Sequence, residues 1–211
     1  IYRMGTIGNI LQLLRLPANT DTDTVALGPA RALGELLAQR NCWTAVAVAA
    51  LSYGVMNLLM VATPLAMGQC QLPYASAALV LEWHVIGMFL PGLFTGNLIN
   101  RFGVLPIILT GCVLMFACIG IALSGVNLMN FLAALFLLGV GWNFMYTGAT
   151  TLLTQSYRPS EKTKVQGFND MVVFFVMVTS SFGSGVLLDS NGWALLNWLS
   201  LPFIVLAFLA V

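Results

Sequence analysis

Glu82 and His84 stand inside a long apolar run and are the two side chains best equipped to handle a proton there. A carboxylate near the centre of a membrane helix costs about 2.5 to 3.5 kcal/mol, so one is seldom placed there without use. Histidine changes charge near neutral pH. Two residues apart on a helix, the pair points about 160° apart, so both cannot line one narrow path. Glu82 shares its face with Val85, Phe89, Gly92 and Gly96, and His84 with Gly87, Met88, Pro91 and Thr95. At least one of them is read as a proton or solute contact, both being candidates, with a structural hydrogen bond to a neighbouring helix as the alternative. Two further faces set amides beside aromatic rings. Asn143, Tyr146 and Thr150 recur at i, i+3 and i+7 with Trp142 beside them, while Tyr53, Asn57, Met60 and Pro64 make a similar face. Such faces offer stacking and hydrogen bonds without a strong ion pair, which suits an uncharged or amphipathic organic solute. Helix packing accounts for them equally well.

Enzymatic chemistry is not expected. The chain has one histidine, no His-Glu-x-x-His, no Gly-x-Ser-x-Gly and no carboxylate cluster, so no catalytic residue, metal site or cofactor is assigned. Cys42 and Cys70 bracket one apolar run, Cys112 and Cys118 lie within another, and neither pair has metal-ligand or redox spacing. A net charge of +1 gives no case for nucleic acid. The P-loop pattern is missing, which argues against an ATP-driven pump within this chain.

The elements that must position these residues are membrane helices. Apolar residues make up 59% of the chain and charged residues 7%, against about 25% charged in an ordinary soluble domain. Six runs reach the roughly 20 residues that a spanning helix needs. They fall at 42-67, 76-100, 103-125, 129-154, 166-188 and 193-211, and the expected fold is an all-α bundle of six transmembrane helices. All eight basic residues precede the first run or lie between the second and third or the fourth and fifth. By the positive-inside rule those segments, the N-terminal one included, are cytoplasmic.

Residues 1-41 form a separate polar region, with 42-211 as the membrane bundle. Ala18 to Thr24 reads as a flexible linker. Pro29 suits a first helical turn, and Leu33, Leu36 and Leu37 face away from Arg31, Glu35 and Arg40. That spacing predicts an amphipathic helix on the cytoplasmic membrane interface, or else one packed on soluble partner domains. Residues 4-14 are apolar enough for the stub of a further span, and a chain opening on Ile1 is expected to be a fragment.

Two stretches say nearly the same thing. Thr95-Gly96-Asn97-Leu98-Ile99-Asn100-Arg101-Phe102-Gly103 and Ser184-Gly185-Val186-Leu187-Leu188-Asp189-Ser190-Asn191-Gly192 each close an apolar run. The repeating object is therefore a group of three spans, and an odd number of crossings between copies makes the repeat an inverted one. Polar residues are concentrated in the first two spans of each group, so those are expected to face inward and the third to face lipid.

Gly96 to Gly103, placed between the second and third spans, resembles the signature loop of the major facilitator superfamily, Gly-x-Leu-x-Asp-Arg-x-Gly-Arg-Lys. The charged connection from Arg158 to Lys164 looks like that family's as well. The resemblance implies the C-terminal half, spans 7 to 12, of a twelve-helix secondary transporter of a bacterial branch, built as a 3+3 inverted repeat. It also implies an N-terminal six-helix half as partner, a small-molecule solute and an inner-membrane location. In the family this loop is a cytoplasmic latch, which assigns gating to Gly96, Asn100, Arg101, Gly103 and, as the partner from the fifth span, Asp170. The family's loop Asp is Asn100 here and its final basic residues are replaced by Val104-Leu105-Pro106. Asn100 retains the ability to cap a helix. Alternating access, driven by protons, is the expected mechanism; a transport-inactive scaffold or receptor that keeps the fold is the alternative.

Overall fold

A computed structural model describes residues 30–211. The expected linker at 18-24, the apolar residues 4-14 and Pro29 lie outside the described residues. Among the described residues six helices are long and apolar enough to cross a membrane: span 1 Arg40–Gln69, span 2 Tyr74–Phe102, span 3 Val104–Ser124, span 4 Leu128–Thr154, span 5 Pro159–Ser190 and span 6 Gly192–Ala210. Each contains one of the six apolar runs or matches it to within two residues at either end.

The helix ends follow from local chemistry. Asn127 opens span 4 by accepting a hydrogen bond from the Asn130 backbone N–H at 3.0 Å, the usual role of an N-cap amide. Pro91 interrupts span 2, which runs as two helices, Tyr74–Phe89 and Gly92–Phe102, because proline carries no N–H and crowds the preceding turn. Gly103 has φ 91° and ψ 166°, and Gly192 φ 74° and ψ 174°. That region of backbone space belongs essentially to glycine. The closing glycine of each repeat copy thus makes the same sharp reversal between two spans. The copies agree further: the opening Thr95 and Ser184 are both fully buried, and Ile99 and Leu188 are buried as well.

Spans 1 and 4 form the centre. Their most apolar windows are 67% and 56% buried, against 39% and 33% for spans 3 and 6 and 28% and 17% for spans 2 and 5. This corrects the expectation that the third span of each group is the least covered. Polar content told which helices need protein contact; it did not tell whether that contact lies within this chain. Span 2 lies on span 4, span 1 on span 5, and span 3 meets span 6, where the Trp193 indole N–H donates to the Ala122 carbonyl at 3.2 Å. One buried cluster, including Met56, Leu59, Met115, Leu138, Met145 and Leu196, fills the middle.

The short helix ahead of the bundle, α1 (Leu33–Leu37), packs its apolar side on the bundle. Leu36 is fully buried with Cys42, Val46, Leu152, Leu153 and Val165, at one end of spans 1, 4 and 5. Arg31 fixes its entry: Nη2 reaches Glu161 Oε2 at 2.7 Å, while Nε and the backbone N–H reach Oε1 at 2.9 and 3.0 Å. Glu161 also accepts from the Arg158 N–H at 2.9 Å, and its side chain is fully buried. A forked pair of this kind is directional as well as charged, and Arg31–Val211 forms one compact unit.

Candidate functional site

Glu82 and His84 sit on opposite sides of span 2, as their spacing requires. His84 is fully buried against span 4, with Nδ1 2.7 Å from the Leu135 carbonyl and, among the described residues, no partner for Nε2. The approach is close because Gly139 faces it: a Cβ there would stand 2.5 Å from the His84 carbonyl oxygen. Glu82 is exposed, in a shallow groove with Ala78, Leu81, Val85 and Ile86.

The expected stripe on span 4 divides three ways. Asn143 is buried toward span 2; its Nδ2 donates to the Met88 carbonyl at 2.8 Å, and its Oδ1 lies 2.7 Å from Thr95 Oγ1. Gly92 starts a new helix after Pro91, so Met88 O lacks its next backbone donor and the amide supplies one. Thr150 is half-buried and bonds to its own helix, to the Tyr146 and Thr147 carbonyls at 2.9 and 3.1 Å. Tyr146 turns instead to Trp142 and to Tyr53 of span 1.

Those three rings form one group. Trp142 and Tyr146 stack with centroids 5.1 Å apart and planes 9° apart, and Tyr53 meets both edge-on at 5.4 and 5.5 Å. Trp142 is buried, whereas both tyrosines are half-exposed. Among the described residues the Trp142 indole nitrogen has no hydrogen-bond partner, and no such partner is found for either tyrosine hydroxyl. One turn beyond Tyr53, Asn57 Nδ2 bonds across to span 5, reaching Ser181 Oγ at 2.6 Å, Ser180 Oγ at 2.9 Å and Met177 O at 3.0 Å. Sequence reasoning placed Trp142 beside a polar stripe and did not find it at the centre of a ring group; the spacing of Trp142 and Tyr146 at i and i+4 was the available signal.

The residues of the expected latch are at the junction of spans 2 and 3. Gly96, Asn100 and Arg101 are exposed, and the Arg101 guanidinium lies 5.3 Å from the centroid of the Phe102 ring. Asn100 stays inside the helix that ends at Phe102, and no side chain caps span 3. The capping role expected of it is not realised, because Gly103 makes the turn in its place. Asp170 is exposed on span 5, with Oδ1 3.3 Å from Asn169 Nδ2.

This bundle, with a glycine reversal between the second and third spans of each group of three, has the organisation that the signature loop implies. The sequence matches the Major Facilitator Superfamily over residues 44–211. The chain belongs to that family. It is 40% identical over 197 residues to a riboflavin transporter, RfnT, of Brucella anthropi, covering 93% of this chain and 50% of the relative. Two Bacillus subtilis proteins described as uncharacterized MFS-type transporters, YddS and YdeG, are 31% and 30% identical over 145 residues, covering 68% of this chain and 33% and 34% of the relatives. The chain thus spans half or less of the length of these curated relatives. As a major facilitator protein it is an integral, multi-pass membrane protein and one half of the family's fold.

Proposed function

We propose that this chain is the C-terminal half of a secondary transporter that works by alternating access against an N-terminal six-helix half, and that it carries a planar, uncharged organic solute of the flavin class. The observation that carries this reading is the Tyr53, Trp142 and Tyr146 group, whose rings offer a stacking surface and whose three polar hydrogens are unclaimed among the described residues. Stacking beside a few fixed polar groups is how sites for such solutes are built. The 40% identity to a riboflavin transporter supports the same solute class. The end bearing Arg101, Arg158, Lys162 and Lys164 faces the cytoplasm, in a bacterial inner membrane. Glu82 carries the coupling proton. An exposed carboxylate on an apolar helix face cannot be left to lipid, so that face belongs against the N-terminal half or a water-filled path. Glu82, His84, Tyr53, Asn57, Asn143, Tyr146 and Thr150 remain the solute and proton pathway in this reading, with Asn143 and His84 acting through the seat of span 2 on span 4. Gly96, Asn100, Arg101, Gly103 and Asp170 meet the N-terminal half at the cytoplasmic gate.

The test is uptake of labelled riboflavin by cells that lack their own flavin uptake and express the assembled transporter. Uptake that collapses with a protonophore and in Glu82→Gln is expected. Uptake indifferent to both removes the proton coupling, and a well-folded protein with no uptake favours the transport-inactive scaffold.

A further inference from the structure

Span 2 is two helices bracketed by one amide. After the break the backbone starts a new ladder: the Leu93 N–H donates to the Leu90 carbonyl at 3.2 Å, and the Phe94 and Thr95 N–H groups donate to Pro91 at 3.0 and 2.9 Å. Asn143 of span 4 bridges the gap. Its Nδ2 holds the Met88 carbonyl of the first segment, Tyr74–Phe89, and its Oδ1 accepts from Thr95 Oγ1 of the second, Gly92–Phe102. A Cβ on Gly92 would stand 3.4 Å from that Nδ2, so the amide lies directly beside the break.

The two bonds differ in what their loss leaves behind. Met88 O has no ladder donor to return to. The Thr95 hydroxyl has one proton and two acceptors at the same distance, Asn143 Oδ1 and its own helix's Pro91 carbonyl, both at 2.7 Å. A second segment that moves away from span 4 keeps that proton bonded to Pro91, and no donor is orphaned. The group left open is an amide oxygen, and an under-satisfied carbonyl is tolerated better than an orphaned N–H.

Packing draws the same line. The first segment is seated closely on span 4, where a Cβ on Gly87 would stand 2.7 Å from the Phe136 carbonyl oxygen, and its Ala77, Val80 and Met88 belong to the main core. In the second segment only Thr95 and Ile99 are buried, and Ile99 packs with Ile107 and Phe144 in a small cluster of its own. A Cβ on Gly96 would meet nothing within 4 Å. The segment ends at Gly103, whose positive φ makes a second joint.

We propose that Gly92–Phe102 is a separately moving lever, hinged at Pro91, with the Thr95–Asn143 hydrogen bond as its catch. Asn143 stays with the first segment through Met88, and the catch opens when the Thr95 proton is given over to Pro91. The lever carries Gly96, Asn100 and Arg101; its use as a cytoplasmic gate rests on the functional reading above, whereas the hinge does not.

The test is double electron–electron resonance on the assembled transporter in lipid nanodiscs, with native cysteines replaced by serine and nitroxides on two cysteine pairs. Asn97→Cys with Leu209→Cys reports the second segment against span 6, and Ala75→Cys with Leu195→Cys reports the first; all four positions are exposed. No solute is required, so the hinge is tested apart from the transport reading. Thr95→Val keeps the branched shape and removes the catch. Asn97 lies six residues beyond Pro91, or about 9 Å, and a kink of about 20° there shifts the first pair by about 3 Å. The second pair should not shift. Thr95→Ser, which keeps the hydroxyl, should match the unaltered protein, and Pro91→Ala, which removes the joint, should abolish the Thr95→Val shift. A single symmetric size-exclusion peak checks that each variant folds. A first pair unmoved by Thr95→Val, both pairs moving together, Thr95→Ser behaving as Thr95→Val does, or a shift that survives Pro91→Ala overturns the hinge and leaves span 2 a single bent rod.

Discussion

The seat of span 2 on span 4 and the seat of span 1 on span 5 are the same contact made twice, and they differ at one backbone position. The offset that sets Gly103 against Gly192 also sets Met88 against Met177. Each of those carbonyls takes an asparagine amide, from Asn143 at 2.8 Å and from Asn57 at 3.0 Å. The asparagines are not counterparts: Asn143 corresponds to Gly54 and Asn57 to Tyr146. What the two copies share is therefore a carbonyl that must be met, and each meets it from a different turn of the partner helix. The position that differs is Pro91, whose counterpart is Ser180. Span 2 breaks there, while span 5 runs on unbroken to Gly192. Met177 O keeps its place in the helical ladder and gains Asn57 as an addition; Met88 O has lost its ladder partner and depends on Asn143.

Removing Asn143 should accordingly have the largest effect. Asn143→Ala leaves a buried carbonyl without a donor, a loss of about 1 to 3 kcal/mol, seen as a lower melting temperature in detergent. Adding Pro91→Ala to the same chain should recover part of the loss, because without the proline ring the helix can run straight through and bring the Gly92 N–H onto the Met88 carbonyl. Two independent, additive losses would show that the amide and the break are unrelated.

The closing glycines come next. Gly103→Ala and Gly192→Ala each force a side chain into positive φ with extended ψ, which costs on the order of 1 to 3 kcal/mol. Thermal unfolding of the two variants should agree to within about 1 kcal/mol if the repeat is a repeat of geometry. A large loss at one glycine alone would mean that only one group of three spans relies on the reversal.

The spans and the repeat were legible because they depend on quantities that run along the chain: the length of an apolar stretch, the placement of basic residues, a glycine in register with another glycine. The partners of the polar groups were not. Asn143 and Tyr146 look like one stripe in sequence, yet a separation of three residues turns them about 60° apart, enough to send one to span 2 and the other to Tyr53 of span 1. Arg31 read as the polar side of an amphipathic helix because the residue that claims it, Glu161, is 130 positions away. Composition could show that such groups need partners, and only packing could choose them.

Asn57→Ala is the smallest of these changes and the sharpest test of the comparison. Met177 O retains its ladder hydrogen bond, and the Ser180 hydroxyl still has the Met177 carbonyl at 3.0 Å, so no buried donor or acceptor is orphaned. The expected loss is about 0.6 kcal/mol, the average for one hydrogen bond between membrane helices. Measured beside Asn143→Ala in the same detergent, it should shift the melting temperature clearly less. Equal shifts would mean that the Pro91 break places no special demand on Asn143, and that both asparagines serve only to join helices.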